Sequence, residues 1–253
     1  MQSQNCYEYI KVGLYLRLLR SVNENFKKED IKRYIENLIE SLESVSFEVT
    51  LSSMSASSIT SIVSEVDDDD EEKGEVNIGS ALSRRIKNEF ERVEFVVFSE
   101  AQTKIVYDLP QRRFNTDYLL NHPEKLLSEG VFEKLDDIAQ HDIRSSCRCL
   151  LFGEPTAVAF HILRATESTL KSFYFHHRKR DRLQRPMWAN MVDQLKAKTR
   201  NKPPKHLLST LDIIRTVYRN PTQHPEATYE LDSAQDLLGV CLDAINQMGK
   251  ELT

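Results

Sequence analysis

The C-terminal stretch constrains the fold more than any other part of the chain. Leu231, Ala234, Leu238, Cys241, Ile245 and Met248 recur at alternating intervals of three and four, up to Gly249. An α-helix turns once every ~3.6 residues, so this rhythm lays the apolar side chains along one stripe that must be buried. The same rhythm recurs upstream. Leu135, Ala139, Ile143, Ser146 and Leu150 form a stripe that stops at Gly153 and Pro155. Ala159, Leu163, Thr166, Leu170 and Phe173 form another over 156–175, and Leu207, Leu211, Ile214 and Tyr218 a further one over 206–219. A shorter helix near 187–199 carries the only tryptophan, Trp188. Helices with short links bury such stripes by packing antiparallel, so a mainly α fold with a helical bundle over 131–253 is expected. The scarcity of turn formers, 7 Gly and 8 Pro in 253 residues, argues against a β-sandwich or a disordered chain.

The first 110 residues read as a mostly helical domain, joined to the bundle by a connector over 111–130 that holds Pro123 and Gly130. Helical spacing covers 5–20 and 29–43. In the second of these, Ile31, Ile35, Leu38 and Leu42 share a stripe, and Glu29 and Asp30 sit in the first turn where the helix dipole favours acids. Ser46–Leu51 alternates Phe47, Val49 and Leu51 and reads as a short strand. An amphipathic helix over about 80–92 is followed by Phe95–Phe98, a run too short for its period to separate strand from buried helix. Asp67–Glu72 is an unbroken run of acids that repel one another, so 64–78 reads as a mobile loop.

No apolar run approaches the ~18–20 residues of a membrane span. The N-terminus carries Glu8, Lys11 and Arg17 within its apolar pattern and reads as a folded helix rather than a signal peptide. Cys6, Cys147, Cys149 and Cys241 form neither a metal-binding spacing nor a secreted disulfide framework. A cytoplasmic protein with core thiols is the expectation.

The formal charge is −5, yet residues 171–206 hold eleven Lys and Arg against Asp181 and Asp193. A basic segment on an acidic chain fits a polyanion surface, because phosphate neutralisation supplies most non-specific affinity for nucleic acid. It fits equally a solvated helical face with a basic loop. Arg178, Lys179, Arg180, Arg182 and Arg185 are the candidate RNA contacts, and His176 and His177 beside them read as phosphate or solvent contacts.

One short motif has the chemistry for catalysis. Between the last two apolar stripes lies Tyr218-Arg219-Asn220-Pro221-Thr222-Gln223-His224-Pro225-Glu226. Two prolines so close predict a sharp exit from the preceding helix, with Asn220 pushed out of α geometry by Pro221. RNA brings its own nucleophile, the ribose 2′-OH. A protein need only move protons, which an imidazole with a pKa near ~6.5 can do, and steady charge on phosphorus, which a guanidinium can do. Arg219 extends a polar stripe, Asp212, Arg215 and Arg219, along the back of its helix. The similar spacing in Arg200–His206 lies in a basic Pro-Pro loop with no helix to deliver Arg200, and reads as a decoy. His161, Arg164 and Glu167 are spaced three apart and read first as an intrahelical ion pair, with Glu167 also able to hold Arg219. Tyr218 and Tyr229 read as packing residues, with stacking on a base the alternative for either.

A helical bundle with Arg-Asn-x-x-x-His between its last two helices resembles the HEPN superfamily (higher eukaryote and prokaryote nucleotide-binding). The stretches ALSRRIKNEFERVEFVVFSEAQTKIVYDL, DIRSSCRCLLFGEPTAVAFHILRATESTLKSFY and YRNPTQHPEATYELDSAQD resemble a group of uncharacterised bacterial HEPN-like proteins, over about residues 80–253. Residues 1–79 carry no such resemblance. The resemblance implies a metal-independent endoribonuclease of the toxin, phage-defence or stress-response kind, with no cofactor and no membrane association. Its site would be completed across a homodimer, and a cognate regulatory or antitoxin protein is a possible partner. It implies that Arg219 stabilises the phosphorane, Asn220 orients it and His224 is the acid and base; Glu167, Arg164, Arg215 and Asp212, from their places on the helix faces, are the candidate supporting residues. The family also holds non-catalytic modules that bind RNA, nucleotide or protein. The toxin branch carries Tyr two residues after the His, where this chain has Glu226 and its next tyrosine is Tyr229.

Overall fold

The computed structural model describes residues 6–67, 77–180, 182–223 and 227–252. The chain divides into two compact units, Met1–Tyr107 and Asp108–Thr253. Both are helical. Among the described residues there is no strand, only one isolated antiparallel bridge between Lys27 and Asn77.

The first unit contains α1 (Cys6–Arg20), α2 (Lys28–Ser44), α3 (Glu48–Ser55), α4 (Ile59–Asp67) and α5 (Ser80–Ala101). The stripe of α2 is buried as its spacing requires, with Ile31, Leu38 and Leu42 wholly enclosed. One reading is corrected here. The strand expected at Ser46–Leu51 is instead the start of α3, which buries Thr50 and Met54 one turn apart and leaves Val49 exposed. Its N-terminus lacks a local capping side chain. Glu100 of α5 accepts from Val49 N at 3.2 Å, Thr50 N at 2.8 Å and Thr50 Oγ1 at 2.8 Å, meeting donors that a helix start leaves unpaired. Burial works against the charge on Glu100 more than any other single influence. These hydrogen bonds and Lys104 together outweigh it and hold the carboxyl below its ordinary pKa. The ambiguous Phe95–Phe98 run is the last third of the long helix α5. Most of the expected acidic loop, including the run from Asp68 onward, lies outside the described residues, but its first residues close α4 and both Val66 and Ile78 are buried.

The second unit begins before the expected bundle. Residues 111–130, read as a connector, are tied to it: Arg113 N donates to Gln235 Oε1 at 2.9 Å, Ser128 N to Asn246 Oδ1 at 2.8 Å and Arg112 Nη2 to Leu151 O at 3.0 Å. Leu119 and Leu127 are buried in its core, and the segment forms α6 (Thr116–Leu120) and a short 3-10 turn, Pro123–Leu126. Next come α7 (Asp137–Phe152) and α8 (Pro155–His177). Gly153 ends α7 in the left-handed conformation, φ 76°, and Pro155 opens α8, so the two helices turn back on one another. α8 is the central helix, packed on α7 and on α12 (Leu231–Glu251). α9 (Trp188–Lys196) and α10 (Lys205–Ile213) complete the core, where Trp188 is buried and its indole donates to Leu211 O at 3.1 Å.

Gly249 sits where α12 runs hard against Val131: a Cβ there would meet Val131 Cγ1 at 2.6 Å. Gly249→Ala is expected to destabilise the protein by about 1–3 kcal/mol through overpacking. The added Val131→Ala change should recover much of that loss in urea denaturation.

Candidate functional site

The segment that carries Arg219 departs from the sequence expectation in a way that builds the site. α10 does not end before Pro221. It widens into a π-helical turn, Ile214–Arg219, and continues through a short helix α11 (Asn220–Thr222). Asn220 keeps helical geometry, φ −64° and ψ −49°, and its N–H reaches back five residues to Arg215 O. The sharp exit and the displaced Asn220 are therefore corrected. Pro221 offers no N–H and its ring would strike an α-helical carbonyl four residues back. A turn one residue wider admits the ring without breaking the helix. The widened end is pinned by side chains. Thr222 Oγ1 donates to Tyr218 O at 2.6 Å, and Tyr229 Oη lies 2.6 Å from Thr222 Oγ1 and 3.3 Å from Tyr218 O. Tyr218 and Tyr229 both pack against the core, as their packing reading requires.

The π turn brings Arg215 and Arg219 out beside two carboxylates. Arg219 Nη2 stands 3.5 Å from Glu167 Oε2 of α8, and Arg215 Nη2 3.5 Å from Asp212 Oδ1. Asp212 also pairs closely with Lys196 of α9. Both arginine side chains are roughly one-third exposed, and the buried Nε of each has no partner among the described residues. Lys196, Arg215 and Arg219 against Asp212 and Glu167 leave one positive charge over. The long, partly exposed pairs of Arg215 and Arg219 hold little energy and give way readily to a stronger anion. The patch is thus suited to accept a phosphate. His224, Pro225 and Glu226 lie outside the described residues.

Of the supporting residues, Glu167 meets Arg219, Arg215 and Asp212 pair with each other on the same helical segment, and Arg164 does neither. The intrahelical pair expected between Arg164 and Glu167 is absent. Arg164 and His161 turn to α7, where both bind Asp142: Arg164 Nη2 donates to Oδ1 at 2.6 Å, its Nε to Oδ2, and His161 Nδ1 to Oδ1 at 2.9 Å. Asp142 is fully enclosed, and a buried carboxylate must be paired. Sequence reasoning missed it. The signal was an acid on the apolar face of α7, three residues after Ala139 and four before Ser146.

The basic segment divides. Lys179, Arg180 and Arg185 are exposed. Arg182 lies over the Phe175 ring at 5.2 Å and donates to Arg178 O at 2.8 Å. Arg178 is half-buried and donates from Nη2 to Gln194 O at 3.1 Å, which ties it to α9 at the end of α8. His177 is likewise drawn inward, 3.0 Å from Glu251 Oε2 and edge-on to Phe173. Burial first, then the nearby Lys198 charge, pushes its pKa below the ordinary value. Burial pushes the thiols of Cys147 and Cys241 up to about 12, consistent with unreactive core cysteines. Among the described residues no group of His, Cys, Asp or Glu could hold a metal ion, and no helix is long and apolar enough to cross a membrane.

Comparison with known protein families, curated proteins and solved structures gives no match.

The Asp142 cluster carries a pH signature. Burial opposes its ionisation more than any other single influence, but the Arg164 and His161 hydrogen bonds and charges together overcome it, so its pKa lies below the usual carboxylate value. A depressed folded-state pKa gives stability that is present above the unfolded value of ~3.9 and lost as pH falls through the folded value. Asp142→Asn should cost about 2–3 kcal/mol at pH 7, the lower range because Arg164 is largely exposed. That difference should shrink below about pH 4 in urea titrations.

Proposed function

We propose that the second unit is a HEPN-type, metal-independent endoribonuclease, acting at a site shared between two copies of the chain. The observation that carries this reading is the π turn, which presents two partly exposed guanidiniums and a surplus positive charge directly before Asn220 and His224. π-helical turns occur often at functional sites. Exposed apolar side chains beside the patch, Ile213 and Val217, supply a surface for the second copy.

In this reading RNA lies with one phosphate against Arg219. The 2′-oxygen attacks the adjacent phosphorus, forming the P–O2′ bond as the P–O5′ bond breaks. His224 of one copy takes the proton from the 2′-OH, and the same histidine of the other delivers one to the leaving 5′-oxygen. Arg219 leaves Glu167 in part to pair with the nonbridging oxygens as charge grows on them, and Asn220 orients that group. Arg215 adds positive potential. Lys179, Arg180 and Arg185 hold the flanking backbone. In a prokaryotic cell such an activity suits defence against phage, a toxin held by a partner protein, or a stress response.

Incubation of the full chain with total tRNA in excess EDTA tests this. Cleavage is expected to persist in chelator and to fall by about 10²-fold or more in Arg219→Ala and in His224→Ala. Retained RNA binding with no cleavage of any RNA by the unaltered protein would replace the enzyme with a binding module. Separately, changing Lys179, Arg180 and Arg185 together to Glu should flatten the salt dependence of RNA binding by about 2 in log–log slope. An unchanged slope would remove the backbone role of these residues.

A further inference from the structure

The first unit holds a groove that its own core leaves unfilled. Between α1 and α5 lies a cavity of about 610 Å³, within the ~300–1,000 Å³ span of small-molecule sites. Val12, Leu16 and Val97, all buried, form its floor, and Tyr9, Phe47 and Phe98 wall its apolar end. Gly13 lines the middle. Glycine in a helix interior is a costly choice, and close packing does not explain it, since a Cβ built there would meet no atom within 4 Å. Its effect is to keep the groove open where a side chain would close it.

The other end of the groove is polar, ringed by Arg17, Arg20 and Glu94. Arg20 pairs closely with Glu94 and lies 3.7 Å from Glu91, so its charge is met. Arg17 has no carboxylate partner among the described residues. An apolar slot whose mouth holds one guanidinium without a carboxylate contact among the described residues complements a molecule with an alkyl body and a single anionic head. We propose that the groove between α1 and α5 binds an alkyl-chain anion, with its carboxylate or phosphate head on Arg17 and its chain along Leu16, Gly13 and Phe98. The site is independent of the nuclease reading and lies wholly within the first unit.

Calorimetric titration of the intact chain with decanoate, decyl phosphate and decyltrimethylammonium, each below its micelle concentration, tests the proposal. One equivalent of at least one anion should bind, and the cation should not; the preferred head distinguishes a carboxylate source from a phosphate source. Gly13→Leu should weaken anion binding at least tenfold while raising or holding Tm, because the new side chain enters open space and favours the helix. Arg17→Gln, an exposed change, should also weaken binding at least tenfold. No binding, equal binding of cation and anions, or full binding by either variant would overturn the proposal. So would a concentration-dependent dimer that Gly13→Leu abolishes in the absence of anion binding, which would assign the groove to a second copy.

Discussion

Because Pro221 has no backbone N–H and a ring that collides with an α-helical carbonyl, the chain before it widens into a π turn, and the arrangement of the candidate site follows from that. A regular α-helix over the same residues would rotate Arg219 away from its present angle. An abrupt stop before Pro221 would leave both arginines on a loop. The wider turn keeps the segment helical and rigid while lifting two guanidiniums out of the regular repeat. Thr222 and Tyr229 occupy the carbonyl of Tyr218 and fix the far end. The local cost of the irregular turn is met by the packing of Leu207, Leu211 and Ile214 in the core beneath it.

Charge placement around α8 shows two uses of ion pairs in one unit. Asp142 is sealed in the interior and held by Arg164 and His161 together, and losing both would strand a buried charge. Glu167 faces a half-exposed Arg219 across a longer gap and is free to share it. The first pair fixes α7 to α8. The second keeps a cation poised. On the proposed reading, the same helix supplies the scaffold through one face and the positioning carboxylate through the next.

The strongly periodic helices were legible in the sequence: the stripes of α2, α7, α8, α10 and α12 are the buried faces observed. The association of Glu167 with Arg219 was also readable, from a carboxylate on one helix and a polar stripe on another. What escaped has a physical cause in each case. Phe47, Val49 and Leu51 alternate over a length at which strand and helix look alike, and the cap that favours helix comes from Glu100, about fifty residues away. The rule that proline ends a helix is local, and a π turn evades it by changing the pitch. Arg178 belongs to a charge run whose members look alike in sequence, and only the carbonyl of Gln194 singles it out. The residues that form the proposed groove carry no motif, since an open space beside Gly13 exists only once α1 and α5 are in place.

The proposed chemistry leaves a mark that the position of a cut alone does not. Attack by the ribose oxygen, with protons handled by imidazole and charge by Arg219, leaves one product ending in a 2′,3′-cyclic phosphate and the other in a 5′-hydroxyl. End-group analysis of RNA cut by the purified chain in chelator should find those ends. Products ending in 3′-hydroxyl and 5′-phosphate would require attack by water instead, and would contradict the role given to Arg219 and His224.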